Sequence, residues 1–546
     1  MKYEFKTVSS LEKIFLNTTM DINEQTCGSM LKNEIYSFQL AARLEEHNYP
    51  TRDCVIEINS PLAKYITLYS VDNVPVVVTH MPGLADDDFI SKEPGLYPDC
   101  LNKITNGLIT LGYNQTRGFW FCVEPNGEIT GEYPIEIKIS ETDGTEIATL
   151  TYTLKIIDKC LPKQELYATG WFHGDCIAKL HKAEAMSDRY FELCEKYIKV
   201  YTKFGHNMIL TPVFTPPLDT DIGKYRPVNQ LVGIKCTDGK YSFDFTYLKK
   251  WIDICHKNGV EYFEICHLFT QWGAEFTPQI MAEVDGEYKR IFGWDVKALS
   301  DEYKEFLSAF LPELKEFLIA EKVYDNCFFH LSDEPTEKHL EQYASIRALV
   351  TPYIDENKLM DALSKYDFYE KGLVKNPVAA NDHIHTFIEH NTPNMWTYYC
   401  CIQGIDVANR FIAMPAYRSR VLGYQLYKYD IKGFLQWGYN FWFSQLSRKI
   451  INPYLDTNAS GGFPAGDSFL VYPTNHDDEV VCSTRIYVFN EALQDMRALK
   501  LLEELAGKEK AHSLLGEIDG FGKYPRSNDY YIELRQKIND EIEKYC

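Results

Sequence analysis

The stretch that decides the fold is Asn326-Cys-Phe-Phe-His-Leu-Ser-Asp-Glu-Pro335, a short apolar run that ends in two adjacent carboxylates. An apolar run of this length between two helical patterns is typical of a strand that is buried on both faces. The residues after Pro335 have helical spacing, so Asp333 and Glu334 lie where a buried strand ends and a helix is about to begin. In a β/α barrel, active sites are built at that edge of the sheet.

The same residues have a second interpretation as an ordinary helix start. Ser332 or Asp333 would then be the N-cap, Pro335 would occupy the first turn, and the helix dipole would favour the acidic residues. Taken alone, the stretch favours this capping interpretation. The rest of the chain reverses that preference.

Composition and charge describe a globular protein with several domains. The chain has 546 residues, of which 45% are hydrophobic and 25% charged, and this length predicts two or three domains. Its formal net charge of −22 argues against nucleic acid or an anionic membrane as a partner. The first residues show no signal segment, and the 15 cysteines have no C-x-x-C spacing. These features predict a cytoplasmic protein with reduced thiols and no contact with a membrane.

Residues 1–160 are predicted to form an all-β sandwich. Strand patterns follow one another here, separated by turn signals such as Asn126-Gly127 and Asp143-Gly144. Apolar and polar residues alternate in 133–139 and in 148–156, as expected of strands with one buried face. No convincing helical pattern interrupts them. We expect this domain to support the one that follows it.

Residues 161–455 alternate short apolar strands with amphipathic helices, which predicts a (β/α)8 TIM barrel. The eight predicted strands are 166–172, 208–214, 262–268, 327–331, 359–363, 383–387, 395–400 and 433–437. Residues 456–546 contain a loop, a strand-like run at 468–472 and two helical patterns, at about 489–506 and 526–544. We expect this last part to be a C-terminal helical extension that packs on the barrel.

Polar and aromatic residues follow most of the predicted strands and should meet in one pocket. Besides the two acids, the candidates for contact with a substrate are Trp171, His173, Asp175, His267, Trp396, Tyr398, Tyr399, Trp437 and Tyr439. Four of them also have a structural alternative, as buried histidines or as packing residues: His173, His267, Trp396 and Trp437. Carboxylates combined with a ring of Trp and Tyr are suited to a sugar, which stacks on the rings while the acids transfer protons.

The adjacency of Asp333 and Glu334 limits the mechanism. Two carboxylates that flank a glycosidic bond from opposite faces come from different strands, because they must stand well apart. Neighbours on one strand end suit the substrate-assisted route, in which the 2-acetamido oxygen of the sugar attacks the anomeric carbon. Glu334 would protonate the leaving oxygen, and Asp333 would orient the acetamido N–H and stabilise the oxazolinium charge. When two acids lie this close, the charge of one raises the pKa of the other, so that one of them stays protonated nearer to neutral pH.

Three motifs resemble family 123 of the glycoside hydrolases: His330-Leu-Ser-Asp-Glu-Pro, Thr211-Pro-Val-Phe-Thr-Pro-Pro and Gly433-Phe-Leu-Gln-Trp-Gly-Tyr-Asn-Phe-Trp. The stretch 466–473 is also similar to the family's C-terminal part, although 474–481 depart from the glycine-rich turn expected there. Characterised members are β-N-acetylgalactosaminidases with a β-sandwich followed by a (β/α)8 barrel. The resemblance implies that Glu334 is the acid/base and that Asp333 assists the acetamido group. It implies no metal and no other cofactor.

Together these features predict an exo-acting, retaining enzyme that removes terminal β-linked N-acetylgalactosamine from a small glycan. We expect Tyr398 or Tyr399 to hydrogen-bond the acetamido oxygen and Trp437 to form the floor of the pocket. One alternative is a β-N-acetylhexosaminidase for another 2-acetamido sugar. The other is a non-catalytic carbohydrate-binding barrel in which the two acids only cap a helix. A homo-oligomer is compatible with the sequence.

A metal alternative rests on His383 and His385. In Asp382-His-Ile-His the two imidazoles would lie on one face of the sixth strand, as two metal ligands can. No clear third ligand is near them in the sequence. Histidines that are hydrogen-bonded in the barrel wall are the favoured interpretation.

Overall fold

The structure is a computed structural model that describes residues 2–46, 50–474 and 479–546. It combines a β-rich N-terminal part, a parallel sheet of eight strands that closes almost completely into a barrel, and a helical C-terminal part. In the described part of the chain, no helix has both the length and the apolar character needed to cross a membrane. Residues 475–478, within the stretch that departs from the expected glycine-rich turn, lie outside the described residues.

The N-terminal part consists of two sheets packed face to face. Its strands are β1 Lys2–Ser9, β2 Cys27–Leu31, β3 Tyr36–Glu46, β4 Thr51–Asn59, β5 Ile66–Val76, β6 Gly95–Lys103, β7 Leu108–Gly112, β8 Thr116–Val123, β9 Gly131–Glu141 and β10 Glu146–Ile157. One sheet has the order β1-β3-β8-β5-β6 and the other the order β2-β10-β9-β4-β7. Phe38 of the first sheet stacks on Tyr152 of the second with ring centroids 4.0 Å apart. The prediction of a β-rich region here is confirmed.

The strands after residue 160 form the barrel, a separate four-stranded sheet and a two-stranded extension of an N-terminal sheet. They are β11 Tyr167–Gly170, β12 Met208–Thr211, β13 Gly233–Thr237, β14 Lys240–Asp244, β15 Tyr262–Ile265, β16 Ile280–Val284, β17 Glu287–Phe292, β18 Cys327–Phe329, β19 Met360–Leu363, β20 Asn376–Ala380, β21 Trp396–Tyr398, β22 Gly433–Gln436, β23 Val471–Tyr472 and β24 Val481–Ser483. Strands β13, β14, β16 and β17 form a separate four-stranded sheet from the insertions after β12 and β15.

Eight parallel strands surround the barrel axis in chain order. They are β11, β12, β15, β18, β19, β20, β21 and β22, and β22 pairs back onto β11. A parallel bridge between Phe329 and Leu359 joins β18 to the start of β19, where the ring is least regular. The C-terminal ends of all eight strands therefore meet at one edge, which is where parallel barrels place their sites.

Helices separate the barrel strands and form the C-terminal part. They are α1 Gly174–Leu180, α2 Asp188–Lys203, α3 Thr246–Lys257, α4 Asp301–Ala320, α5 Leu340–Val350, α6 Asp367–Glu370, α7 His385–Glu389, α8 Tyr417–Lys428, α9 Thr484–Ala506, α10 Lys508–Ser513 and α11 Asn528–Glu543. Both α2 and α4 begin at a serine N-cap, since Ser187 and Ser300 accept hydrogen bonds from the backbone N–H of Tyr190 and Tyr303. The helices α6 and α7, in contrast, are single turns.

The sixth strand was predicted at 383–387, and this prediction is wrong. The strand is β20, all five residues of which are buried, and His385 begins the short helix α7. Pro377 lies inside β20, and a proline normally argues against a strand. The exposed His383 contacts its neighbour Asp382 with Nδ1 and Oδ1 2.7 Å apart. Because His383 and His385 do not share a strand face, the metal alternative loses its basis.

The C-terminal part contacts the N-terminal sheets as well as the barrel. Strand β24 pairs antiparallel with β6 and with β23, so these two short strands extend the sheet that begins in the N-terminal part. Arg485, in α9, donates to Oδ1 and Oδ2 of the buried Asp99 on β6 at 2.7 and 2.9 Å. The hydroxyl of Tyr472 donates to the same carboxylate at 2.6 Å. The domain limits at 160 and 455 stay predictions.

Replacing Asp99 with Asn should destabilise the protein, because it leaves the buried Arg485 guanidinium without its carboxylate. Removing one partner of a buried ion pair costs about 3–5 kcal/mol of unfolding free energy. Lys500→Ala breaks a surface pair with Glu165 and is the matched control, with an expected change below about 1 kcal/mol. Urea unfolding of both variants measures this difference. Equal loss in the two variants would show that the Asp99 pair does not join the two parts of the chain.

Candidate active site

The C-terminal ends of the barrel strands surround a cavity of about 130 Å³ that is open to solvent. Asp333 and Glu334 both line it. Its aromatic lining consists of Trp171, Trp272, Tyr398, Trp437, Phe441 and Phe463. The cavity therefore offers two carboxyl groups within a wall that is rich in aromatic side chains.

The acidic pair does not cap a helix. The first helical turn after it is a 3-10 turn, Glu337–His339, whose N-cap position is Thr336. The backbone N–H of Thr336 donates to Nδ1 of His339 at 3.1 Å, and α5 begins only after this turn. The capping interpretation of Ser332 and Asp333 is therefore wrong.

The two acids differ in the hydrogen-bond partners of their carboxyl groups. The carboxylate of Asp333 has no hydrogen-bond partner among the described residues, whereas the hydroxyl of Tyr398 donates to Oε1 of Glu334 at 2.8 Å. Glu334 has a φ of +44°, a left-handed conformation that costs of order 1–3 kcal/mol for such a residue. The backbone N–H of Trp272 donates to the carbonyl of Asp333 at 3.0 Å and helps to hold this conformation. The free carboxylate of Asp333 can receive a donor from a ligand.

Burial favours the protonated form of both acids. It raises the pKa of Asp333 well above its usual range, and the charge of Glu334 raises it further. Burial also raises the pKa of Glu334, and the hydrogen bond from Tyr398 only partly offsets this effect. Two neighbouring carboxyls of this kind can share one proton near neutral pH, which is the state a general acid requires.

A buried imidazolium lies directly beneath the pair. His330 has Nε2 2.6 Å from Oε1 of Glu264 and Nδ1 3.2 Å from Oδ1 of Asp361, and all three side chains are fully buried. Burial lowers the pKa of His330, but the hydrogen bonds with Asp361 and Glu264 outweigh it and raise the pKa to about 10. The ring is therefore charged at neutral pH and donates from both nitrogens.

Asp361 also fixes the backbone that leads to the acidic pair. Its Oδ1 accepts the N–H groups of Leu331 and Ser332 at 3.0 and 3.2 Å, and its Oδ2 accepts the hydroxyl of Tyr343 at 2.5 Å. One carboxylate on β19 thus sets the course of the chain after β18. The acids reach the cavity because this turn is held from below.

Trp437 is held at its indole and at its backbone carbonyl. Its Nε1 donates to Oδ2 of Asp467 at 3.0 Å, and its carbonyl lies 2.9 Å from Nε2 of His173. Burial and the nearby Arg226 lower the pKa of His173 to about 3, so this ring is neutral. Arg226 Nη2 lies 3.2 Å from Nδ1, which leaves the hydrogen of His173 on Nε2 to bond the Trp437 carbonyl. Trp437 can therefore act as a rigid stacking surface.

Residues 171–502 match the family model "Glycoside hydrolase 123, catalytic domain". The chain belongs to glycoside hydrolase family 123. Among solved structures, a family 123 glycoside hydrolase from Clostridium perfringens, described in connection with glycolipid glycan hydrolysis, has the same fold with a TM-score of 0.76 and 14% identity. The match covers 100% of this chain and 98% of that one.

Other comparisons are too remote to support an argument. A β-glucuronidase from Parabacteroides merdae shares 10% identity over 84% of this chain and 50% of that one, with a TM-score of 0.32. No curated protein matches the chain at a significant level.

Four of the nine predicted contact residues line the cavity of this family 123 protein: Trp171, His173, Tyr398 and Trp437. Asp175 lies behind it, in a fully buried ion pair with Arg226 at 2.8 Å. His267 lies beneath it and stacks on His330 with ring centroids 4.3 Å apart. These two residues can position the cavity wall, although they do not line it.

Three predicted contact residues point elsewhere, and these predictions are corrected. Tyr399 is fully buried against Phe434, because consecutive residues of a strand point to opposite faces. The hydroxyl of the buried Tyr439 donates to the carbonyl of Tyr197 at 2.9 Å, on the outside of the barrel. Trp396, the first residue of β21, stacks on Tyr167 at the opposite end of the barrel.

Several residues of the site were missed from the sequence. Glu264 and Asp361 lie under the acids, Asp467 holds Trp437, and Cys400 and Cys401 line the cavity. A detectable signal existed for the first two, since each is a carboxylate inside an otherwise apolar strand. A buried acid in such a strand requires a partner, and this requirement marks it as part of a polar network.

The side chains of His267, His330 and Asp361 are close enough together to suggest a metal site. The two imidazole planes, however, are only 13° apart in a stacked arrangement. A ring nitrogen binds a metal in the plane of its ring, and the lone pairs of two stacked rings do not converge on one ion. His330 is also held as a charged donor to two carboxylates. This cluster therefore acts as a support for the acids.

The buried His330 predicts a loss of stability at alkaline pH. Its pKa of about 10 in the folded protein lies above the unfolded value of about 6.5, so its contribution is complete below about pH 6.5 and is lost as pH rises toward about 10. The unfolding free energy of the wild type, measured with urea, should therefore fall over this interval more steeply than that of His330→Gln. The same pH dependence in both proteins would show that His330 is neutral in the folded state.

Proposed function

We propose that this protein is an exo-acting, retaining β-N-acetylgalactosaminidase in which the 2-acetamido group of the substrate is the nucleophile. Membership of family 123 establishes the glycoside hydrolase class, and the sugar and the mechanism are our proposal. The observation that carries it is that Asp333 and Glu334 are adjacent and line the same cavity. We also infer that the nearly closed ring of eight parallel strands is a (β/α)8 barrel.

The environments of the two acids support different roles. Burial raises the pKa of Glu334, so this group can hold a proton near neutral pH, and the hydrogen bond from Tyr398 fixes the position of its carboxyl group. Asp333 has no partner for its carboxylate among the described residues, so it can accept the acetamido N–H of a bound sugar. We therefore assign Glu334 as the acid/base and Asp333 as the residue that orients the acetamido group.

The proposed reaction has two steps at the anomeric carbon. In the first, the acetamido oxygen attacks this carbon, the glycosidic C–O bond breaks, and the proton of Glu334 passes to the leaving oxygen. Asp333 stabilises the positive charge of the oxazolinium ion that results. In the second step Glu334 takes a proton from water, whose oxygen attacks the anomeric carbon from the face opposite the oxazolinium ring. The bond from this carbon to the acetamido oxygen breaks, and the acetamido group is restored. Two inversions give a product that retains the β configuration.

The cavity wall supports a terminal sugar as the substrate. Trp437 offers a rigid ring for the apolar face of a pyranose. The hydroxyl of Tyr398, which donates to Glu334 here, could instead donate to the acetamido oxygen of a bound sugar. A single cavity at the strand ends suits the end of a glycan better than its middle. We propose a small glycan as the substrate and a cytoplasmic location. The glycolipid glycan of the Clostridium perfringens relative is a second candidate source of the same sugar.

Hydrolysis of 4-nitrophenyl β-N-acetylgalactosaminide tests the proposal directly. Wild type should cleave it faster than the N-acetylglucosaminide, and Glu334→Gln should lower kcat by about 10²–10⁴-fold, because proton donation to the leaving oxygen is lost. Asp333→Asn should lower kcat by about 10²–10³-fold through loss of charge stabilisation. Preference for the glucosaminide would support a hexosaminidase of the same mechanism, and sugar binding without turnover would support a binding protein.

A better leaving group separates the two roles. With 2,4-dinitrophenol, which leaves without a proton, Glu334→Gln should recover much of the activity on the first step, whereas Asp333→Asn should not. Inhibition by a thiazoline analogue of the cyclised intermediate should be strong in the wild type and weakened in Asp333→Asn. An active enzyme that the thiazoline does not inhibit would contradict participation of the acetamido group.

A further inference from the structure

Two adjacent cysteines, Cys400 and Cys401, line the same cavity as the acids. They follow β21, whose last residue, Tyr398, donates its hydroxyl to Glu334. Both are free thiols and half-buried. The proposed hydrolysis does not use either of them.

The backbone around these cysteines is fixed. The N–H of Cys400 donates to Oε1 of Gln403 at 2.8 Å, and its carbonyl accepts Nδ2 of Asn409 at 2.9 Å. The two thiols also interact: the hydrogen bond with Cys401 and then burial raise the pKa of Cys400 well above its usual value. Both cysteines therefore line the cavity on a fixed backbone, and Cys400 is protonated.

We propose that Cys400 and Cys401 form a dithiol site for trivalent arsenicals, and that an arsenical bound there closes the catalytic cavity. Arsenic(III) is a soft centre that prefers sulfur ligands, and two thiols on adjacent residues that line one cavity can supply two bonds with little loss of chain entropy. With an arylarsine oxide, the arsenic–oxygen bonds break and two arsenic–sulfur bonds form. The two thiol protons leave with the oxygen as water, and neither arsenic nor sulfur changes its oxidation state.

Neighbouring thiols distinguish this site from the exposed single cysteines of the chain. Cys27, Cys160 and Cys546 are exposed, and each stands apart in the sequence. A single cysteine forms only one bond to arsenic, and a monothiol in solution readily takes the place of that cysteine on the arsenic. Two linked thiols raise the local concentration of the second ligand and resist this displacement.

Occupation of the site should exclude a sugar. Cys400 and Cys401 line the cavity together with both acids. An aryl group attached to these sulfurs would occupy space in the cavity of about 130 Å³ that the two acids line. The arsenic binding is independent of the proposed function, whereas the loss of hydrolysis rests on it.

Phenylarsine oxide and intact-protein mass spectrometry test the binding. Wild type should gain one phenylarsenic group that survives a wash with a monothiol and is removed by 2,3-dimercaptopropanol. Cys400→Ser and Cys401→Ser should each lose this resistant adduct by about tenfold or more. Cys160→Ser, at an exposed cysteine far from the cavity, is the matched control and should keep it. A resistant adduct that persists in both cavity variants, or that disappears only in the control, would overturn the site.

Competition and activity test the closure. An excess of N-acetylgalactosamine should slow formation of the adduct, and hydrolysis should fall in proportion to the fraction of modified chains. A fully modified protein that still hydrolyses its substrate would overturn closure of the cavity. If the adduct forms at these cysteines and the unmodified protein hydrolyses no glycoside, the dithiol site stands and the proposed function fails. The two failures are thus distinguishable.

Discussion

The charged imidazole of His330, held between Glu264 and Asp361, is the interaction on which the site depends. Two buried carboxylates would repel each other without a cation between them, and the cation would be costly without both acids. Once charged, Asp361 can also accept the backbone N–H groups just before the acidic pair. A strained φ at Glu334 persists only where the surrounding structure determines it, and this buried layer supplies that support.

The rest of the molecule maintains the barrel around this layer. Strands β23 and β24 continue a sheet of the N-terminal part, and the pair of Asp99 and Arg485 joins that sheet to α9. The cavity wall is formed by loops that the same C-terminal segment contacts, since Asp467 holds Trp437 and lies four residues before Val471. The N-terminal sheets and the barrel therefore share a structural element, which links the stability of one to the geometry of the other.

Much of the fold could be predicted because short buried strands that end in polar residues are a strong local pattern. Seven of the eight predicted barrel strands overlap the observed ones, and the repetition of this pattern along the chain identified the acidic pair after β18 as part of the site. The strand β20 escaped because Pro377 argues against a strand, whereas alternation in 382–385 imitated one. Sequence patterns describe one segment at a time, and here the contacts between segments override both signals.

The side-chain predictions failed where direction and depth mattered. Tyr398 and Tyr399 are neighbours in sequence and point to opposite faces of the barrel wall. Trp396 and Tyr398 share a face, but two residues along a strand span roughly 7 Å, which separates the bottom of a barrel from its mouth. Residue type alone cannot distinguish these positions. Glu264 and Asp361 each stand out as an acid inside an apolar strand, but their shared partner His330 could not be identified from the sequence, because the three residues come from β15, from β19 and from just after β18.

A crystal structure with the thiazoline derived from N-acetylgalactosamine tests the central claim most directly. The account predicts one bound sugar in the cavity, with a carboxylate oxygen of Asp333 within hydrogen-bond distance of the ring nitrogen and Glu334 beside the anomeric carbon. A sugar that binds with its nitrogen away from Asp333, or one that leaves both acids in contact only with protein, would contradict it.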